Sequence, residues 1–170
     1  DDLRRALSPD RVRTDGVELA LYRRDASNIV GEAGVVCFPL TTTEVRAAVH
    51  ACVRHDVPFV ARGSGTGLAG GATPVGGSCV ITLTKMNRVL SVDVNNRLAW
   101  VEPGVLNLDL TRSLTVDGVH FAPDPSSQQS CSIGGNLANN SGGPHCLADG
   151  VTSAHILAAE VVLPDGEVVL

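Results

Sequence analysis

A glycine-rich segment directly after a short apolar run is the feature that most constrains this chain. Residues 62–71 read Arg-Gly-Ser-Gly-Thr-Gly-Leu-Ala-Gly-Gly, and they follow the strand-like residues 58–61. Alternating glycines let the backbone adopt positive φ angles, so that consecutive N–H groups can converge on one anion. A second glycine cluster lies at residues 132–136. One such loop alone is more often a plain turn, but the pair predicts a phosphate-bearing cofactor.

The common nucleotide-binding motifs fit the first loop poorly. A P-loop would end in Gly-Lys-Ser/Thr, but the only lysine, Lys85, lies well outside the segment. A Rossmann fingerprint would open a helix. Here Pro74 and Gly76-Gly77 resist helix formation before the strand-like residues 79–83. The sequence therefore argues against both motifs.

Composition and charge narrow the functional classes. A chain of 170 residues, 44% of them hydrophobic, is expected to form one domain of ordinary size with a buried core. The net charge of -5, the lack of a basic run and the low aromatic content of 3% argue against nucleic acid or anionic membranes as partners. No apolar stretch approaches the roughly 20 residues of a membrane span, and the given sequence does not start with a charged n-region followed by an apolar h-region. We expect a cytoplasmic location, and both ends resemble cuts in a longer protein.

The five cysteines show neither a metal-binding nor a disulfide pattern. They are odd in number and widely spaced, with no Cys-x-x-Cys and no Cys/His pairing at zinc-finger spacing. Cys37, Cys52 and Cys79 lie in apolar patterns, where a free cysteine behaves as a small buried hydrophobe. We therefore predict no metal and no disulfide in this chain.

The first half of the chain predicts a parallel strand, helix and strand. Residues 35–38 read as a buried strand, and residues 41–44 form a capping box for a helix. The apolar positions of that helix follow helical spacing, and its polar positions are expected to face solvent: the apolar set is Val45, Ala48, Val49, Cys52 and Val53, and the polar set is Arg46, His50 and Arg54. Residues 59–61 form the second strand. The glycine-rich loop then lies at the carboxyl end of a strand, where open α/β sheets bind ligands.

The remaining chain predicts fewer regular elements. A short helix is expected at residues 2–7, and an antiparallel hairpin around the Asn95-Asn96 turn. A helix over residues 106–116 is closed by Gly118, residues 123–150 are loop-rich, and residues 156–170 form a final hairpin.

Several motifs in one unbroken order resemble the FAD-binding domain of the vanillyl-alcohol oxidase type, also called PCMH-type. The resemblance covers roughly residues 20–170. Within this family, the chain especially resembles the flavin subunit of glycolate oxidase and the D-lactate and D-2-hydroxyglutarate dehydrogenases. The motifs are Arg62 to Gly71, Val101-Glu-Pro-Gly104, Ala122-Pro-Asp-Pro-Ser-Ser127, Cys131-Ser-Ile-Gly-Gly-Asn136, Asn139-Asn-Ser-Gly-Gly143, and His145-Cys146 with Gly150.

The resemblance implies an α+β fold of two small α/β subdomains with FAD extended between them. Residues 1–34 would form an N-terminal arm, residues 35–90 the first FAD-binding subdomain, and residues 91–170 a second subdomain that is incomplete at its C-terminus. Because residues 62–71 contain no histidine, the expected FAD is noncovalent. His145 beside Cys146 is interpreted as a polar loop histidine next to a buried thiol.

The resemblance also implies the cofactor-binding residues. The pyrophosphate would lie against Arg62, Gly63, Ser64, Gly65, Thr66, Gly67 and Leu68. The flavin ring and ribityl chain would lie against Pro125, Ser126, Ser127, Cys131, Ser132, Ile133, Gly134, Gly135 and Asn136, with Asn139, Asn140, Ser141 and Gly142 also near. A long polar connection over residues 123–143 is the alternative.

The implied function is an FAD-dependent oxidoreductase that oxidises a 2-hydroxy acid such as glycolate or D-lactate. Its substrate and metal contacts would come from a cap domain that this chain does not contain, so no catalytic residue is assigned here, and other oxidase subunits are candidate partners. The chain alone is expected to be inactive. The alternatives are another flavin oxidase, acting on an alcohol, sugar or nucleotide sugar, or a non-catalytic nucleotide-binding module.

Overall fold

A computed structural model describes all 170 residues, and they divide into two compact units. The first unit comprises residues 1–85 and 158–170, and the second comprises residues 86–157. These units differ from the predicted boundaries in that the N-terminal residues and the last thirteen residues, 158–170, both belong to the first unit.

A four-stranded sheet forms the centre of the first unit. Its strands are β1 (Val12–Arg13), β2 (Ala33–Cys37), β3 (Phe59–Arg62) and β4 (Ser78–Thr82), in the order β1-β2-β4-β3. Strand β4 is parallel to both β2 and β3, and β1 is antiparallel to β2. The two predicted parallel strands, β2 and β3, are therefore separated by β4. All five residues of β4 are buried, as expected of a strand covered on both faces.

Three helices accompany this sheet: α1 (Asp2–Leu7), α2 (Gly16–Ala20) and α3 (Thr42–Arg54). The predicted cap of α3 is half formed. Thr41 Oγ1 accepts a hydrogen bond from Glu44 N at 3.2 Å, but Glu44 Oε2 accepts from Leu40 N at 2.7 Å instead of from Thr41 N. Glu44 also forms an ion pair with Arg11, which ties the start of α3 to the N-terminal residues.

The predicted core face of α3 is correct for Ala48, Val49 and Cys52 and wrong for Val53. Val53 is 55% exposed, while Ala51 is buried in its place. Ala51 therefore belongs to the buried face and Val53 does not, so the size of an apolar side chain does not identify the positions that face the sheet.

The polar face of α3 is exposed at Arg46 and Arg54, as predicted, whereas His50 is half-buried. Arg46 Nε donates a hydrogen bond to Gly166 O at 2.9 Å, and Arg54 Nη1 donates to Asp2 Oδ2 at 2.7 Å. Gly166 lies in the turn of a short hairpin made of β7 (Val161–Val162) and β8 (Val168–Val169). This hairpin is much shorter than the predicted one. Its contacts with α3 are the reason that the last residues belong to the first unit.

Two apolar clusters form the core of the first unit, one containing Leu7, Val12, Cys37, Ala48, Val49, Cys52, Cys79 and Ile81, and the other Ala33, Val36, Phe38 and Val80. The predicted burial of the three cysteines is confirmed. The sulfurs of Cys37 and Cys79 lie 4.0 Å apart, and this contact raises the pKa of the Cys79 thiol. The absence of a metal and of a disulfide stays a prediction.

The second unit begins with the predicted antiparallel hairpin. Strand β5 (Val89–Asp93) pairs with β6 (Leu98–Val101). The predicted helix follows as α4 (Asn107–Leu114), extended by a short 3₁₀ turn that ends at Gly118, where φ is 70°. The core of this unit consists of Val105, Leu110, Leu114 and Ile133.

The predicted loop-rich segment contains two short helices, which the sequence did not indicate. They are α5 (Ile133–Ala138) and α6 (Cys146–Asp149). Consecutive glycines at positions 134 and 135 have poor helix propensity, but burial of Ile133 and the cap at Ser132 hold α5 in place. Both units mix helices and strands, so the predicted α+β class is confirmed. None of the helices combines the length and apolar character that a membrane span requires.

We expect Val80→Ala to lower the free energy of unfolding by about 2 kcal/mol, because it removes two buried methyl groups and leaves a cavity in the central strand. Val17→Ala is the control, since Val17 is 79% exposed and its truncation is expected to change stability by less than about 0.5 kcal/mol. Urea denaturation of both variants measures the difference. Equal losses would contradict the assignment of β4 to the core.

Candidate cofactor site

The first glycine-rich loop leaves the carboxyl end of β3. None of the peptide N–H groups of residues 63–71 donates a hydrogen bond to an acceptor within the chain. Of the three alternating glycines, only Gly65 adopts a positive φ angle, 75°, and Gly70 further along the loop adopts 78°. A buried or half-buried amide needs an acceptor, so a run of free amides of this kind is suited to an anion.

Arg62, at the start of the loop, is buried and its side chain makes contacts within the chain. Its Nη1 donates to Arg24 O at 3.0 Å and to Ala72 O at 3.4 Å, and its guanidinium carbon lies 5.6 Å from the centre of the Tyr22 ring. A Cβ added at Gly65 would overlap Arg62 Nη2. Glycine is therefore favoured at this position both by the positive φ angle and by the space that the Arg62 guanidinium occupies.

Residues 25 and 26, which lie between α2 and β2, contact the middle of the loop and the residue that follows it. Asp25 Oδ1 accepts from Ser27 N at 2.9 Å and Asp25 Oδ2 accepts from Ala72 N at 3.4 Å, while Ala26 N donates to Gly67 O at 3.1 Å. Burial acts to raise the pKa of Asp25, but these hydrogen bonds and the charge of Arg62 lower it below its usual value. Sequence analysis missed Asp25. The Asp-x-Ser spacing typical of an Asx turn was the signal that could have drawn attention to it.

The remaining predicted residues of this loop differ in exposure. Ser64 and Thr66 are half-buried, whereas Leu68 is 80% exposed. Two buried hydroxyl groups of the same unit, Thr73 Oγ1 and Thr82 Oγ1, have no hydrogen-bond partner, and Thr82 is paired in register with Arg62. The free amides give this loop the donors that a phosphate ester requires.

The second glycine cluster lies in the second unit, at the start of α5. Gly134 N donates to Pro103 O and Ile133 N donates to Val105 O, both at 2.8 Å. A Cβ at Gly134 would lie 2.6 Å from Pro103 Cβ, so this glycine permits the close approach of the two segments. Ser132 caps the helix through its hydroxyl, which accepts from Gly135 N at 3.4 Å.

A buried amide network supports this cluster. Asn107 Nδ2 donates to Asn136 Oδ1 at 3.1 Å and to Pro123 O at 2.9 Å, and Asn136 Nδ2 donates to Cys131 Sγ at 3.2 Å. Asn136 and Cys131 were predicted to line the cofactor, but both are buried and their side chains make contacts within the unit. Asn107, which joins them to the segment at Pro123, was missed by the sequence analysis.

The other predicted residues of this unit lie in turns, where Pro125 is buried and the rest are exposed or half-exposed. Ser127 O accepts from Ser130 N and Cys131 N, and the side chain of Asn139 donates to Gly135 O at 2.9 Å. Asn140 has a φ of 46°, and its Oδ1 accepts from Ser153 N at 2.9 Å. The predicted residues of this unit with the greatest exposure are Ser126, Asn139 and Asn140.

An ion pair between Asp124 and His145 joins two of the predicted motifs. A Cβ at Gly143 would overlap Asp124 O, so the two segments approach at backbone distance. The hydrogen bond and charge of Asp124 raise the pKa of His145, and His145 in turn lowers the pKa of Asp124. Gly143 N donates to Cys146 Sγ at 2.8 Å, which places the thiol in the same turn.

Comparison with known proteins identifies the family of this chain. A family model described as "FAD binding domain" matches residues 33–170. The chain belongs to this family. The order of motifs predicted it, and the prediction is confirmed.

Two relatives and one solved structure illustrate the similarity. The chain is 42% identical over 134 residues to the glycolate oxidase subunit GlcD of Bacillus subtilis, which covers 79% of this chain and 28% of the relative. It is 36% identical over 168 residues to a D-lactate dehydrogenase of Anaerostipes hadrus, covering 98% of this chain and 34% of the relative. The structure of an alkyldihydroxyacetonephosphate synthase superposes with a TM-score of 0.88 at 23% identity, covering 96% of this chain and 33% of that one, which supports the fold. The chain thus spans about a third of these proteins.

We expect the Asp124–His145 pair to stabilise the second unit in a pH-dependent manner. The raised pKa of His145 means that its contribution is fully present below about 6.5, its ordinary value, and is lost as the pH rises through the folded-state value. The lowered pKa of Asp124 means that its contribution is present above 3.8 and is lost as the pH falls through the folded-state value.

The measurement is the difference in unfolding temperature between the parent and His145→Gln below and well above pH 6.5. We expect a larger difference at the lower pH. His120→Gln is the control, because His120 is exposed and forms no ion pair. A difference for His145→Gln that is the same at both pH values would contradict the ion pair.

Proposed function

We propose that this chain binds FAD noncovalently, with the pyrophosphate against the backbone of the glycine-rich loop from Gly63 to Leu68. The run of peptide N–H groups without an acceptor over residues 63–71 carries this proposal. Amide dipoles and positive-φ glycines bind a phosphate without side-chain charges, which accords with a loop that contains no lysine or histidine. Arg62 and Asp25 would stabilise the conformation of the loop through their hydrogen bonds to Ala72.

The predicted residues of the second unit would lie against the flavin ring and ribityl chain. Ser126, Gly134, Gly135, Asn139 and Asn140 are exposed or half-exposed and supply hydroxyl, amide and backbone groups without net charge. The buried Asn136 and Cys131 would act by fixing these segments and not by direct contact. Gly134 and Gly135 leave room for a flat ring to approach the backbone.

The complete protein is proposed to be an oxidoreductase for small 2-hydroxy acids such as glycolate or D-lactate. The names of the relatives support this activity, as does the membership of the chain in the FAD-binding family. When bound, FAD would accept a hydride from the hydroxyl-bearing carbon of the substrate. The residues of this chain would bind and orient the cofactor, and no proton transfer is assigned to any of them.

The setting of the protein is also part of the proposal. Other oxidase subunits are candidate partners, since one relative is itself named as a subunit. A cytoplasmic location is also proposed, because the odd number and wide spacing of the five cysteines do not form the disulfide pattern typical of secreted proteins.

We expect Gly65→Ala to raise the dissociation constant for FAD about tenfold or more in the full-length protein. An L-residue at a φ of 75° costs about 1–2 kcal/mol, and the new Cβ would displace the Arg62 guanidinium from the loop. Gly71→Ala is the matched control within the same loop, because a Cβ there meets no atom and its φ is not positive. Quenching of flavin fluorescence measures both affinities, and equal affinities would contradict the pyrophosphate site.

The proposed substrate class is tested by anaerobic mixing of the flavin-loaded full-length protein with glycolate, D-lactate or D-2-hydroxyglutarate. We expect at least one of them to bleach the oxidised flavin absorbance, because hydride transfer reduces the ring. Bleaching only by a phenol, an alcohol or a sugar would replace the 2-hydroxy-acid assignment with another flavin oxidase. A full-length protein that binds no flavin would leave only a non-catalytic module.

A further inference from the structure

We propose that Asp25 and Arg62 form a positioning clamp that holds the glycine-rich loop in its anion-binding conformation, so that the cofactor site extends into residues 22–27. This inference rests on the proposed function, since it takes the loop to bind the pyrophosphate of FAD. It adds Asp25, which lies outside the glycine motif, to Arg62, the first residue of that motif.

The clamp is defined by contacts with the N–H and the carbonyl of one residue, Ala72, and with the middle of the loop. Asp25 Oδ2 accepts from Ala72 N, and Arg62 Nη1 donates to Ala72 O. Halfway along the loop, Ala26 N donates to Gly67 O at 3.1 Å. Because Arg62 also begins the loop as the last residue of β3, its start, middle and end are each held by this group of residues.

The direction of these contacts explains why the loop amides remain free. A trans peptide unit points its carbonyl and its following N–H in opposite directions. The contact from Ala26 engages the carbonyl of Gly67, so the N–H of Leu68 is turned away from residues 22–27. The loop has no hydrogen-bond ladder of its own between residues 63 and 71, and its conformation therefore depends on contacts of this kind.

The negative charge of Asp25 allows the effect of the clamp on FAD binding to be distinguished from electrostatic attraction of the anion. Asp25 and Arg62 are 7% and 8% exposed, so the carboxylate and the guanidinium lie in the protein interior near the loop. Removing the negative charge of Asp25 would make the surroundings of the loop more positive, which alone would tighten the binding of an anion. Loss of the hydrogen bond to Ala72 would loosen the loop and weaken binding. The two effects have opposite signs.

The test is the dissociation constant for FAD of Asp25→Asn in the full-length protein, measured beside the unfolding temperature of the cofactor-free form. Asparagine keeps the oxygen that accepts from Ser27 N, but its amide cannot accept from Ala72 N. We expect the dissociation constant, measured well below the unfolding transition, to rise about tenfold or more. The unfolding temperature is expected to fall as well, because the buried Arg62 loses a nearby negative charge.

Asp15→Asn is the matched control. Asp15 Oδ1 accepts from Val17 N at 2.9 Å, which is the same local turn as Asp25 makes with Ser27, but it caps α2 and is exposed. We expect this variant to bind FAD as the parent does, even though it removes the same charge.

The outcomes are distinct. Unchanged or tighter binding of FAD by Asp25→Asn would overturn the clamp while leaving the proposed function intact, whereas a parent protein that does not bind FAD would overturn both. If Asp25→Asn does not fold, Arg62→Lys replaces it, because lysine keeps the positive charge but cannot span Arg24 O and Ala72 O with a planar group. Parent-like FAD binding by folded Arg62→Lys would then overturn the clamp.

Discussion

The buried guanidinium of Arg62 is the interaction on which the first unit depends. A cation that is 8% exposed requires partners, and the chain supplies two carbonyl oxygens, the face of Tyr22 and the nearby carboxylate of Asp25. These partners come from the residues before β2 and from the far end of the glycine-rich loop. Satisfying one charge therefore holds residues 22–25, the sheet edge and the loop together, within the compact unit that also contains the rest of residues 1–34.

In the second unit, neutral amide groups hold distant segments together. Asn107 and Asn136 join the segments at Pro123 and Cys131 through buried amide hydrogen bonds, and the close approach at Gly134 joins them to Pro103. Each of these bonds matters because a buried amide group without a partner costs free energy, as Asn107 Oδ1, which has none, already does. The geometry of these segments is thereby fixed largely by neutral groups, and the Asp124–His145 ion pair adds one charged contact beside Pro125 and Gly143.

The sequence predicted those features that depend on local pattern. Strand β4, the hairpin of β5 and β6, and the cap at Thr41 follow from periodicity and capping chemistry, and the family followed from the order of motifs. Contacts between distant residues could not be predicted in this way. Asp25 meets Ala72 across 47 residues and Asn107 meets Asn136 across 29, so neither role is visible in a local window. Helix α5 was missed because two glycines hide it, and tertiary packing overrides their propensity.

Gly65 shows how the two kinds of information combine. From the sequence, its glycine is explained by a backbone that must turn through positive φ and expose its amides. The structure adds the Arg62 guanidinium, which occupies the space where a Cβ would lie. Gly71 belongs to the same motif, yet it has neither a positive φ nor a neighbour within contact distance. Glycines in one motif therefore carry different constraints, and what separates them is the packing of a buried side chain against the loop, not the spacing of the motif itself.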